Sequence, residues 1–297
     1  METLEALAET FSMGEPAVIS NLMLFPILAT RPSADFDFRT LEEGMNSGSI
    51  TITEPGHGYR SVNIQNSYQE EAFIIDGEGI SGGMQNRIAA SSMVISGQKS
   101  QRVPVYCCEQ GRWAGSSQFA FSNTIAYPSI RDLNTRSKTS LGTRVDMQSS
   151  VWKEISRKQK SLKVHSPTGS MQDIYNKKPD ELDRFKEYRP EDNQVGVLGA
   201  TQKGLLCVDI FYNHALFGKF CIKLLISYAL EDETAGRGAL NFDKWPGFFQ
   251  DIWKSTLVKK KAASSELPYR FQTSKNTGTG KVLFYKNTMV HAAFFSP

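Results

Sequence analysis

Four cysteines in 297 residues are too few for a disulfide framework, and two of them, Cys107 and Cys108, are adjacent. Neighbours in a strand point to opposite faces, so these thiols read as small buried hydrophobes. No CxxC occurs. The four histidines, His57, His165, His214 and His291, show neither HxH nor HxxxH spacing, so the sequence offers no metal site. GxSxG is missing, which removes the usual seat of a serine nucleophile. DGEGISGG matches neither phosphate-loop spacing, and no cofactor motif is present. No run reaches 18 apolar residues, so no membrane-crossing helix is expected. A net charge of +3 is too mild for a nucleic-acid footprint. The opening METLEALAETF lacks the basic start and apolar core of a signal peptide, which points to a cytoplasmic location.

What is present is an ordinary globular composition, 40% hydrophobic and 22% charged. Alternating or short apolar runs bounded by turn residues predict strands at 49–53, 60–66, 72–75, 91–96 and 103–108, with one or two more inside 17–30. A helix is predicted near 39–45. Residues 116–149, rich in Ser, Thr, Asn and Arg, read as a surface loop or a partly ordered lid. Helices follow at 150–162 and within 170–189, divided by SPTG. VGVLGA and GLLCVDIFY flank TQKG as a hairpin. A helix capped by Asn213 then runs to 230, with Phe217, Phe220, Leu224, Leu225 and Tyr228 on a broad apolar face. Another helix is expected over 245–261, ending in three lysines, and 281–285 pairs with 289–295 across Lys286-Asn287. Short connections imply antiparallel pairing. The expected fold is a single α+β domain over 1–297, an antiparallel β-sandwich or curled sheet with helices packed on one side. Its β-rich core spans 17–113 and 194–295, and its helical and loop segment 116–190.

The polar load lies in residues 74–113, IIDGEGISGGMQNRIAASSMVISGQKSQRVPVYCCEQGRW. Strands that only build a core need no carboxylates, amides and guanidinium groups around glycines, because such groups are costly to bury unless they meet each other or a ligand. Glu78 and Glu109 are the candidate acid/base pair. Arg87 and Arg112 are a candidate phosphate clamp. Gln85, Asn86 and Gln110 are candidates to read a base edge or hold a ribose, and Trp113 to stack a ring. The competing reading is internal ion pairing, Arg87 with Glu78 or Arg112 with Glu109, and core packing for Trp113.

The ordered set DGEGISGGMQNR, PVYCCEQGRW, VWKEI, SPTG with MQDIY, QVGVLGA, VDIF, ISYALE and VHAAF resembles a bacterial family named for association with ADP-ribosylglycohydrolase and rhodanese-phosphatase proteins. The resemblance spans roughly 22–294, and 235–280 reads as an insertion in it. It implies a link to NAD or ADP-ribose metabolism, and so a small-molecule nucleotide partner, but brings no catalytic assignment. It also marks His291 as the histidine most worth following as a catalytic candidate. Two function classes result: a hydrolase of an NAD- or ADP-ribose-derived nucleotide, or a non-catalytic protein that sequesters one or docks a protein partner. The sequence leaves homo-oligomerisation open.

Overall fold

The computed structural model describes residues 7–31, 37–56, 58–136, 147–177, 182–231, 241–254, 256–259, 268–272 and 278–295. The fold is α+β, built on antiparallel sheets that include a curled half-barrel. The chain divides into two compact units, Met1–Phe36 with Leu182–Pro297, and Asp37–Glu181.

The discontinuous unit is built on a nine-stranded sheet. Its order is Phe11–Met13, Leu22–Ala29, Gln194–Thr201, Gly204–Phe211, Thr288–Phe295, Thr279–Tyr285, Pro268–Gln272 and Thr256–Lys259, with Ala17–Ile19 also paired to Leu22–Ala29. Every residue of Gln194–Thr201 is buried, because the sheet is covered on both faces. On one face Met23, Phe25, Leu198, Val208, Ile210, Ala292 and Phe294 pack with Trp245, Phe249, Ile252 and Trp253 of the helix Lys244–Trp253. On the other lies the helix His214–Glu231, whose first turn is capped by Asn213 Oδ1 accepting from Leu216 N at 2.8 Å. Phe211 stacks there on Phe220. Each large apolar side chain so covered contributes about 1.5–3 kcal/mol. The hairpin Thr279–Tyr285 to Thr288–Phe295 turns through Lys286 and Asn287, both at positive φ (47° and 64°), which suits the right-handed twist of its strands.

The continuous unit pairs a six-stranded antiparallel sheet with a three-stranded one. The first runs Phe119–Ile125, Glu78–Gly82, Arg87–Ala89, Lys99–Cys107, Ser61–Asn66 and Ile50–Thr53; the second runs Met93–Ile95, Ala72–Ile74 and Arg39–Thr40, the last pair parallel. Both feed one core, where Ile52, Val62, Ile64, Ile80, Val103 and Val105 meet Ala72, Ile74, Met93 and Ile95. The helix Leu41–Asn46 opens with a reciprocal capping box between Thr40 and Glu43. The helix Met147–Ser161 is tied to the sheet by Gln148, whose side-chain amide donates to Cys107 O and accepts from Cys107 N at 2.7 and 2.8 Å.

Two expectations are corrected. The helix expected over 245–261 stops at Trp253, and Thr256–Lys259 is a strand paired with Pro268–Gln272. The β-branched Thr256 and Val258 favour that pairing over a further helical turn. Lys260 and Lys261 lie outside the described residues. The stretch 116–149 is not one loop: it holds the strand Phe119–Ile125 and the helix Pro128–Arg136, which Pro128 opens. Its residues 137–146 lie outside the described residues.

A Cβ on Gly199 would sit 2.5 Å from Tyr228 Cδ2, on a ring whose hydroxyl is already held by Asp209. Gly199→Ala is therefore expected to overpack the sheet–helix interface and cost about 1–3 kcal/mol. A lower urea midpoint would show this; an unchanged midpoint would mean that the ring yields freely.

Candidate functional site

Directly after the strand Lys99–Cys107, the Glu109 carboxylate gathers three segments of the continuous unit. Its Oε2 accepts from Arg112 Nε at 2.9 Å and Asn86 N at 3.2 Å, and lies 2.7 Å from Arg112 Nη2. Its Oε1 accepts from Thr168 Oγ1 at 2.8 Å. Burial alone would raise this carboxyl, but the bonds from Arg112, Thr168 and Asn86 outweigh it and hold it below its ordinary value. Arg112 spends its remaining donors on backbone carbonyls and the Asn86 amide oxygen. Nη1 donates to Gly83 O and Ala114 O at 2.8 and 2.9 Å, and Nη2 to Gly82 O at 3.2 Å and Asn86 Oδ1 at 3.1 Å. The pair is a staple: an ionised acid and a guanidinium with its donors committed inside the fold. Of the two internal pairings weighed from sequence, this one is present.

Arg87 has a different partner from the one considered. Its side chain is 1% exposed, and Nη2 lies 3.1 Å from Glu54 Oε1, which also accepts from Met84 N. Nη1 donates to Gln85 O at 2.8 Å. Glu78 is fully buried, with Oε2 accepting from Ile75 N at 3.2 Å across the Gly77 turn. Beside it Asp76 Oδ2 lies 3.5 Å from Arg131 Nε, an ion pair with both side chains buried. Gln85 is buried too, and its Nε2 donates to Gln110 O at 3.3 Å. Asn86 accepts from Gly82 N at 2.9 Å, closing the turn that Arg112 also grips. Gln85, Asn86, Arg87, Glu109 and Arg112 thus share one polar network around the 82–86 turn, while Glu78, in the same unit, bonds back across the Gly77 turn. Arg87 and Glu109 stand on or beside paired strands, since Arg87 faces Cys107 across the ladder.

His291 belongs to the other unit. Between the sheet and the helix His214–Glu231, its Nε2 lies 3.0 Å from Asp209 Oδ1, and the Asp209 carboxylate also accepts from the Tyr228 hydroxyl and from Cys207 Sγ. His291 and Asp209 are both buried, and the imidazole packs on Phe211 with ring centroids 4.7 Å apart. His57 lies outside the described residues. The cysteines are buried, and burial pushes the Cys107 thiol up to about 11 and Cys108 further still, so neither is a thiolate nucleophile at neutral pH. Among the described residues no group of three or more His, Cys, Asp or Glu is arranged to hold a metal ion. No described helix is long and apolar enough to cross a membrane.

Two candidates, Gln110 and Trp113, are exposed, and they lead to an open groove. Gln110 is exposed and lines a concavity of about 480 Å³ with Ser149, Trp152, Lys153, Ser156, Arg157 and Lys160. These six lie on one face of Met147–Ser161, at i, i+3, i+4, i+7, i+8 and i+11. The opposite face is buried through Val151, Ile155 and Lys158. Arg157 is held by Glu154 through a bidentate pair at 2.8 and 2.9 Å. Lys153 and Lys160 have no hydrogen-bond or ion-pair partner among the described residues, and the buried Trp152 Nε1 has no acceptor there. Trp113 is 51% exposed and stands edge-on to Trp152, ring centroids 6.5 Å apart. Sequence reasoning missed Lys153, Arg157 and Lys160. Their i, i+4, i+7 spacing was the available signal, and such a stripe is ordinarily just a solvated helix face.

In the continuous unit, then, a stapled turn region lies beside an open groove lined by Lys153, Arg157 and Lys160. Over residues 10–295 the chain matches the ARG and Rhodanese-Phosphatase-superfamily-associated Protein domain, and it belongs to that family. No curated protein and no solved structure matches it.

The Glu109–Arg112 staple makes two expectations. Arg112→Ala should cost about 1.5–3 kcal/mol, the usual loss for bonds to a charged partner, read as a drop in the urea midpoint. Because the Glu109 carboxyl is held below its ordinary 4.5, its contribution to stability is complete above that value and is lost as pH falls through the lower folded value. Glu109→Gln should accordingly show a shallower loss of stability than wild type below pH 4.5; equal slopes would remove the staple from the pH response.

Proposed function

We propose that this chain binds a phosphorylated nucleotide of the NAD or ADP-ribose class on the open groove of Met147–Ser161, and that it binds rather than cleaves it. The observation that carries the reading is the pair of ammonium groups, Lys153 and Lys160, without a partner among the described residues and lining a 480 Å³ concavity. Phosphate oxygens are strong acceptors that suit both ammonium donors. The hydroxyls of Ser149 and Ser156 and the amide of Gln110 add polar groups able to meet ribose.

Hydrolysis has less support. A general base should sit near the working pH with a free lone pair toward the substrate. Glu109 is instead held ionised by three neighbours and faces a guanidinium. Family membership favours the nucleotide class only by the association in its name.

Calorimetric titration with ADP-ribose and with NAD, followed by chromatography of the recovered ligand, tests the proposal. Stoichiometric binding with intact ligand is expected. Cleaved product would make the chain an enzyme, and no heat with either ligand would end the reading. Lys153→Ala with Lys160→Ala should weaken binding about three- to thirtyfold, since exposed charge contacts are partly screened. The fold should persist, because alanine favours a helix.

A further inference from the structure

We infer that Trp113 is the platform for the ligand's ring, so that the groove takes a nucleoside diphosphate rather than an inorganic or sugar phosphate. This rests on the groove of Met147–Ser161 being the phosphate site.

Trp113 is not core. It is 51% exposed, although the unit has apolar interior available, and Tyr59 beside it is 38% exposed. The two rings stand edge-on, centroids 6.0 Å apart at 88°, and Trp152 also meets Trp113 edge-on, at 79°. An aromatic braced by perpendicular neighbours has a defined ring plane and still leaves much of its surface to solvent. Such a surface is suited to base stacking, which every nucleobase can supply through its π-face.

The position of Trp113 ties it to the groove. Trp152 lines the groove and touches Trp113. Gln110, also in the lining, lies on the same short segment, which Arg112 clamps to Gly83 and Ala114. The staple thus sets the ring at the lip of the concavity. From there the cations continue along the helix, with Lys153 and Lys160 two turns apart, roughly 10 Å along the axis. Flexible lysine stems converging from that spacing suit more than one phosphate. A planar ring at one end and two phosphates beyond it describe a nucleoside diphosphate. Trp152 is the poorer platform, because its ring is partly covered and its indole N–H is buried.

The test is calorimetry with ADP and with inorganic pyrophosphate, on wild type, Trp113→Ala and Trp113→Phe, each checked for an unchanged melting transition. Wild type should bind ADP roughly tenfold or more tighter than pyrophosphate. Trp113→Ala should lose that margin and leave pyrophosphate binding unchanged, and Trp113→Phe should restore most of it. Equal binding of ADP by wild type and Trp113→Ala, or no preference of wild type for ADP over pyrophosphate, overturns the ring platform while leaving the phosphate groove standing. No binding of either probe to wild type removes the groove itself, and the platform with it.

Discussion

One carboxylate organises the polar half of the continuous unit. Glu109 closes the strand Lys99–Cys107, takes the Arg112 guanidinium three residues on, reaches back to the Asn86 amide and across to the Thr168 hydroxyl. Through Arg112 the same charge pair holds the carbonyls of Gly82, Gly83 and Ala114. Backbone bonds reinforce the junction: Gly111 N donates to Thr168 O at 2.7 Å and Met171 N to Cys108 O at 2.9 Å. A half-buried ion pair of this kind contributes little net free energy beyond what apolar packing would, but removing one partner strands the other. Its value lies in specifying geometry. The loop that carries Gln110 and Trp113 has few apolar anchors of its own, so the staple is what gives it a fixed course.

The same rule governs the other buried charges. Arg87 meets Glu54, Asp76 meets Arg131, and Asp209 gathers His291, Tyr228 and Cys207. Each group would be costly alone, and each is placed where a second element supplies its partner. The Asp209 cluster sits between sheet and helix, where it pins Tyr228 against the Cβ-less Gly199. Polar residues thereby set register in two layers that apolar contact alone would allow to slide.

The legible parts of the fold were those with one dominant signal. The strands Gln194–Thr201 and Gly204–Phe211, apolar on both faces, read plainly, as did the helix His214–Glu231 with its Asn213 cap and the hairpin through Lys286 and Asn287. Elements that bury polar groups did not. Glu78–Gly82 was not among the expected strands, though it is one, with Glu78 and Ile80 inside. Phe119–Ile125 carries Ser122 and Thr124, which bond each other at 2.9 Å and share Gln172 as partner. Pro128–Arg136 hides Arg131 and Asp132. Hydropathy scores such residues as exposed because their partners lie elsewhere in the chain. At the site, sequence located the polar concentration at 74–113 but not its pairings: the partner of Arg87 lies 33 residues upstream, beyond any local pattern.

That difference explains why the groove went unseen. A residue committed to an internal partner and one available to a ligand have the same letter in the sequence. Arg112 and Lys160 are both cations near polar neighbours, yet Arg112 is committed to Glu109 and three backbone carbonyls while Lys160 is exposed and has no partner among the described residues. Buried, paired charges are insensitive to salt and specify shape; exposed, unpaired ones are screened but cost nothing to redirect toward a ligand. The unit uses both kinds within one continuous stretch of surface and interior. The staple fixes the Gln110–Trp113 segment, the Gln148 amide fixes the helix Met147–Ser161 to Cys107, and the free lysines project from the helix so fixed. In the proposed reading, preorganisation therefore rests on residues that would never touch the ligand, and recognition on residues that the fold itself does not need.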